Sequence, residues 1–125
     1  MNPGDTFLDR HPAFGTHLWV IVATPGADAL AFNFTTRRPS GQCDTSCIVT
    51  AGEHPFVRRE TVVEYRRGVF GPQKSWEDLV RLGAARSSDP VSAALLLRIQ
   101  QGTLASKFAA ERFKQIVRQA LGLTG

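Results

Sequence analysis

An α+β fold with a mainly β core is the class the sequence predicts: a small, strongly bent β-barrel or sandwich over residues 1–72, followed by two or three helices over residues 73–125 packed on it as a single compact unit. Three observations support this. Short stretches rich in β-branched and aromatic residues, separated by Gly/Pro loops, fill the first half. The second half switches to helical apolar spacing and carries helix-start signals. The whole chain has 125 residues, 42% hydrophobic and 21% charged, with eight Phe, two Trp and one Tyr, which suits one folded domain.

The strands follow in order. Thr16-His-Leu-Trp-Val-Ile-Val-Ala-Thr24 is apolar and β-branched and ends at the turn signal Pro25-Gly26. Ala29-Leu-Ala-Phe-Asn-Phe-Thr35 alternates, with Leu30, Phe32 and Phe34 on one face and smaller or polar residues on the other. The residues between these stretches have the length of a hairpin loop. Cys47-Ile-Val49 and Glu60-Thr-Val-Val-Glu-Tyr65 are shorter strands, the latter with Thr61, Val63 and Tyr65 sharing a face. Val69-Phe70 adds a last short strand before Gly71-Pro72, and the stretch from Gly71 to Ser75 is the boundary between barrel and helices.

Ser75-Trp-Glu-Asp matches a capping box and predicts a helix over about residues 76–85. Asp89-Pro90 predicts a second, with Asp as N-cap and Pro in the first turn, carrying Ala93-Ala-Leu-Leu-Leu97 and stopped by Gly102. A third, over about residues 104–121, presents Leu104, Phe108, Phe113, Ile116, Val117 and Leu121 as one stripe. A barrel of this size buries a modest core, so these stripes are read as core packing or a dimer seam. No exposed row of Arg, Asn or Gln marks a DNA-reading helix.

The composition excludes a disordered or fibrous chain, and no apolar run is long enough to span a membrane. The first residues lack the basic and apolar regions of a secretory signal, so a cytoplasmic protein without membrane association is expected. Net charge is +4, and all of it resides in residues 74–125. The first 73 residues are neutral overall yet hold six of the twelve arginines as three doublets, Arg37-Arg38, Arg58-Arg59 and Arg66-Arg67. Guanidinium pairs suit phosphates and carboxylates, and a non-random cluster of them suits a phosphodiester track. Trp19 or Tyr65 would supply base stacking in such a track unless the fold takes them into its core.

Several residues qualify as candidates for chemistry. Cys43 and Cys47, with His54 seven residues later, have C-x3-C spacing and lack an evident fourth zinc ligand, and a reducing cytosol disfavours their disulfide; no metal or other cofactor is assigned. Gly52-Glu-His-Pro-Phe56 fixes His54 in an extended loop, where it either locks the loop through backbone hydrogen bonds or serves as an acid or base. Asn33-Phe-Thr-Thr-Arg-Arg-Pro39 puts two hydroxyls and Arg37-Arg38 at a strand exit, a solvated strand end or a phosphate-binding loop end.

The order Gly4-Asp5-Thr-Phe7, then Leu18-Trp-Val-Ile-Val22, then Asn33-Phe-Thr-Thr36 resembles the PemK/MazF-like toxins of toxin–antitoxin systems. The resemblance spans roughly residues 4–70 and implies an SH3-like barrel with extra helices, a homodimer, and metal-independent cleavage of single-stranded RNA. It aligns Thr35 with the family's catalytic Thr. His17-Leu18 stands where the family has Arg-Pro and its catalytic Arg, so either His17 takes the acid/base role or the barrel lacks this chemistry. Under the first reading the protein is an endoribonuclease. His17 or His54 then acts as acid or base, Thr35 bonds a phosphate oxygen, and Arg37, Arg38, Arg58 and Arg59 hold the backbone. Under the second it is a non-catalytic module whose arginines bind a protein partner such as an acidic antitoxin segment.

Overall fold

A computed structural model describes residues 1–11, 15–38 and 43–123 of the chain. In order the elements are β1 (Thr6–His11), β2 (Gly15–Ala23), β3 (Asp28–Thr36), β4 (Ile48–Val49), β5 (Thr61–Pro72), α1 (Gln73–Arg81), β6 (Ala85–Ser88), α2 (Ala93–Ala105) and α3 (Glu111–Ala120). The strands form one curled antiparallel sheet in the order β4-β5-β3-β2-β1-β6, an α+β half-barrel with its helices packed on both faces. No helix among the described residues is long and apolar enough to cross a membrane.

Side-chain alternation explains how two faces are covered. Leu18, Val20, Leu30, Phe32, Phe34, Val63 and Tyr65 point to one side, where Leu95 and Ile99 of α2 and Phe113 and Val117 of α3 close the main core. Ile21, Ala29 and Ala31 point to the other, where Trp76 of α1 packs with Phe7. The Trp76 and Phe7 rings stack with centroids 5.2 Å apart. The alanines that alternate with large residues on β3 are therefore contact positions. Their small side chains let α1 approach the sheet closely, and burial runs without a break from Ala29 to Phe34.

β5 is a single strand of 12 residues that absorbs both expected strands. Its register against β3 shifts between Asn33↔Glu64 and Ala31↔Val69, so the Arg66-Arg67-Gly68 segment spans a bulge. Bulges bend a strand and redirect its side chains. Gly68 is required here by close approach: a Cβ on it would lie 2.5 Å from Phe113 and 2.8 Å from Phe32.

Five helix boundaries differ from expectation. α1 starts directly from the strand with Pro72 as N-cap, and Ser75 lies inside its first turns without capping. It ends at Arg81, and the chain then returns as β6 to pair with β1, so residues beyond the barrel half complete the sheet edge. At α2 the cap is Ser92, which accepts from the Leu95 N–H at 3.1 Å. Asp89 is held back by its carbonyl, which takes the Thr6 hydroxyl at 2.6 Å and His54 Nε2 at 2.6 Å. Gly102 does not stop α2. It lies buried within it, against Tyr65 and Cys47. Leu104 belongs to α2, and Phe108, half exposed, lies between α2 and α3.

Candidate functional site

α1 covers only part of its face of the sheet, and the remainder is an open groove. Residues directly opposite on antiparallel strands share a face. One row across the sheet is Phe7, Trp19, Asn33 and Glu64, from the pairs Phe7↔Trp19, Trp19↔Asn33 and Asn33↔Glu64. The next row contains Asp9 and His17, paired across β1 and β2, and Thr35, two residues beyond Asn33. A groove of about 670 Å³ is lined by Asp9, His17, Trp19, Asn33, Thr35 and Glu64 from these strands. Arg38, Cys43, Asp44, Arg66 and Arg67 complete its wall. Across the ridge formed by His17, Thr35 and Thr36, a second cleft of about 370 Å³ carries Arg58 and Arg59.

His17 and Thr35 therefore share a groove with one member of the first Arg doublet and both of the third. The doublets are not equivalent. Arg37 forms an ion pair with Glu60, which neutralises it, whereas no carboxylate among the described residues pairs with Arg38, Arg58, Arg59, Arg66 or Arg67. Arg66 is positioned over the Phe108 ring, 4.4 Å from its centroid. That contact limits the freedom of a cation at the bulge. Residues 39–42, which follow Arg38 and include the expected Pro-Ser-Gly loop, lie outside the described residues.

His54 lies apart from this groove. It is 1% exposed, with Nε2 on the Asp89 carbonyl at 2.6 Å and Nδ1 accepting the Phe56 N–H at 3.1 Å. An acceptor role for Nδ1 makes Nε2 the protonated nitrogen, so this is a neutral imidazole with both ring nitrogens used. Its arrangement is that of a loop lock. Phe56 is 40% exposed and does not anchor the loop in the core; Val57, buried, fills that position. Arg98 of α2 adds a second tie to this loop, pairing with Glu53 and donating to the Ile48 carbonyl at 2.6 Å. The hydrogen bond from Arg98 holds the Glu53 carboxyl below the usual carboxylate range.

Cys43 and Cys47 are free thiols. Cys47 is buried, and desolvation pushes its thiol up, away from the reactive thiolate. Among the described residues no group of three or more His, Cys, Asp or Glu side chains is placed to hold a metal ion. Tyr65 is a core residue and not a stacking platform: its hydroxyl donates to the Ile99 carbonyl at 2.7 Å, and burial raises its titration far above the ordinary range. Trp19, half-buried, is the more accessible of the two. One edge packs toward Trp76, with ring centroids 5.8 Å apart, while the residue itself lines the groove.

Glu64, Asp9 and Asn33 carry functional potential that sequence reasoning did not single out. Only strand register could have found them, because each lies on a strand of its own and the three lie far apart along the chain. Against known proteins, no family model matches the chain and no curated protein matches it.

Proposed function

We propose that the protein is a toxin-like, metal-independent endoribonuclease that binds single-stranded RNA along the groove. The observation that carries this is the shared groove of His17, Thr35 and Glu64 with three arginines free of carboxylate partners among the described residues. Glu64 and His17 stand on strands separated by β3, a spacing of about 10 Å, and Thr35 projects from the strand between them. A phosphodiester fits that interval. The Glu64 carboxylate takes the proton of the ribose 2′-OH, whose oxygen attacks phosphorus and displaces the 5′-oxygen. His17, as imidazolium, gives its proton to that leaving oxygen, and the product ends are a 2′,3′-cyclic phosphate and a 5′-hydroxyl. Thr35 donates to a phosphate oxygen. Arg38, Arg66 and Arg67 offset the charge gathered on the phosphoryl oxygens.

Incubation with single-stranded RNA in EDTA tests this reading. Cleavage leaving cyclic phosphate ends, lost in His17→Ala and in Glu64→Gln, is the expected result. Intact RNA, under conditions where a control ribonuclease cuts, refutes it. Intact RNA together with binding of an acidic peptide to the same arginines establishes the non-catalytic alternative.

A further inference from the structure

Trp19 Nε1 and Asn33 Oδ1 are the two buried side-chain polar atoms without a hydrogen-bond partner among the described residues. They are not scattered. Trp19 and Asn33 are direct cross-strand partners, and both line the groove. Asn33 is 8% exposed, so its amide oxygen is an acceptor withdrawn from water in the groove floor. Buried polar groups are almost always satisfied, and those left over call for a specific explanation.

We infer that Trp19 and Asn33 form a subsite that reads the edge of one unpaired nucleobase of the RNA; this inference rests on the function proposed above. The argument is one of donor and acceptor geometry. The indole N–H only donates and the Asn33 oxygen only accepts, so a ligand must offer an acceptor and a donor side by side. A phosphate or carboxylate offers acceptors alone and leaves Asn33 unsatisfied. A single trans peptide unit points its N–H and C=O in opposite directions; one residue of an extended chain turns both to the same side, but such a chain brings no phosphate for Arg66 and Arg67. The Watson–Crick edge of a nucleobase carries an adjacent donor and acceptor. Its sugar-phosphate then extends toward Arg66 and Arg67 on the same groove wall. Both atoms are closed off from solvent, so base reading requires a groove-lining side chain to turn aside on binding.

The test compares short 2′-O-methyl oligoribonucleotides, which resist cleavage, as A, C and U homopolymers with an abasic oligomer of equal length and charge. Binding is read by fluorescence anisotropy. The wild-type protein is expected to bind at least one homopolymer about tenfold more tightly than the abasic chain. Trp19→Phe, which keeps a ring and removes the N–H, and Asn33→Leu, which keeps the volume and removes the oxygen, each erase about five- to tenfold of that preference and leave abasic binding unchanged. Asn33→Leu also keeps or raises the melting temperature, which separates lost reading from lost folding. Unchanged base preference in both variants overturns the subsite. Wild-type binding to the abasic chain with no gain from bases overturns it too, while sparing the phosphate track. Binding to neither overturns both the subsite and the proposed function.

Discussion

Replacing Gly102 with Ala isolates the contact that fixes α2 over β5. A Cβ there collides with the Tyr65 hydroxyl and lies 2.9 Å from Cys47 Cβ and 3.0 Å from Tyr65 Cζ. In an exposed helix interior the same change would stabilise by about 1 kcal/mol. Here that gain is opposed by overpacking of about 1–3 kcal/mol. Displacing the Tyr65 hydroxyl from the Ile99 carbonyl, where it sits at 2.7 Å, costs about 1–3 kcal/mol more. The net expectation is a loss of about 3 kcal/mol. With an unfolding entropy of about 2 cal/mol/K per residue, that lowers the melting temperature of the 125-residue chain by roughly 10 °C. Thermal and urea unfolding followed by circular dichroism measure it. Tyr65→Phe removes the colliding atom, so the double variant is expected to lose at least about 1 kcal/mol less than the sum of the singles. A Gly102→Ala protein as stable as wild type, or more stable, refutes the close approach of helix and strand.

Further expectations concern other parts of the molecule. His54→Ala removes both ring contacts of a buried imidazole and is expected to lower stability by about 2–4 kcal/mol in urea titrations, while any RNA cleavage per folded molecule is retained. Glu53 has a carboxyl held low by Arg98, so its contribution is present above the ordinary Glu range and is lost as pH falls through and below it. Since Arg98 is 45% exposed at its side chain, that contribution is about 0.5–1 kcal/mol, and Glu53→Gln should flatten it in urea midpoints measured from pH 6 to 3. Iodoacetamide on the folded protein at pH 8, followed by mass spectrometry, is expected to label Cys43 and spare buried Cys47.

The apolar strands were legible because their periodicity is strong. The stretches around Val20 and Phe32 could be little else, and the two-faced burial of β3 was hidden only because Ala29 and Ala31 look neutral in a sequence. β6 was hidden for a different reason. Ala85-Arg-Ser-Ser88 has neither apolar alternation nor β-branched residues, and its strand character comes from pairing with β1. Asp89-Pro90 had the chemistry of a helix start, but tertiary bonds to the Asp89 carbonyl claimed that segment and left Ser92 to cap α2. At the groove, His17 and Thr35 stood out through motif resemblance and the arginines through their doublets. Asn33 and Glu64 did not, and Trp19 was marked only as one of two candidate stacking rings, because a cross-strand row joins residues tens of positions apart and leaves no local mark.

The pairing of β6 with β1 also has a consequence during synthesis. β1 gains its inner neighbour as soon as β2 emerges, but its outer edge waits for residues 85–88. At about 5–20 residues per second that interval is on the order of 4–16 s, during which the nascent chain displays an unpaired strand edge. A ribosome that stalls between the two releases a product with most of its core strands and an open edge, a template for pairing with other such fragments. Truncation before residue 85 should therefore be tolerated far less well than removal of the last residues, and its failure should appear as aggregation in cells.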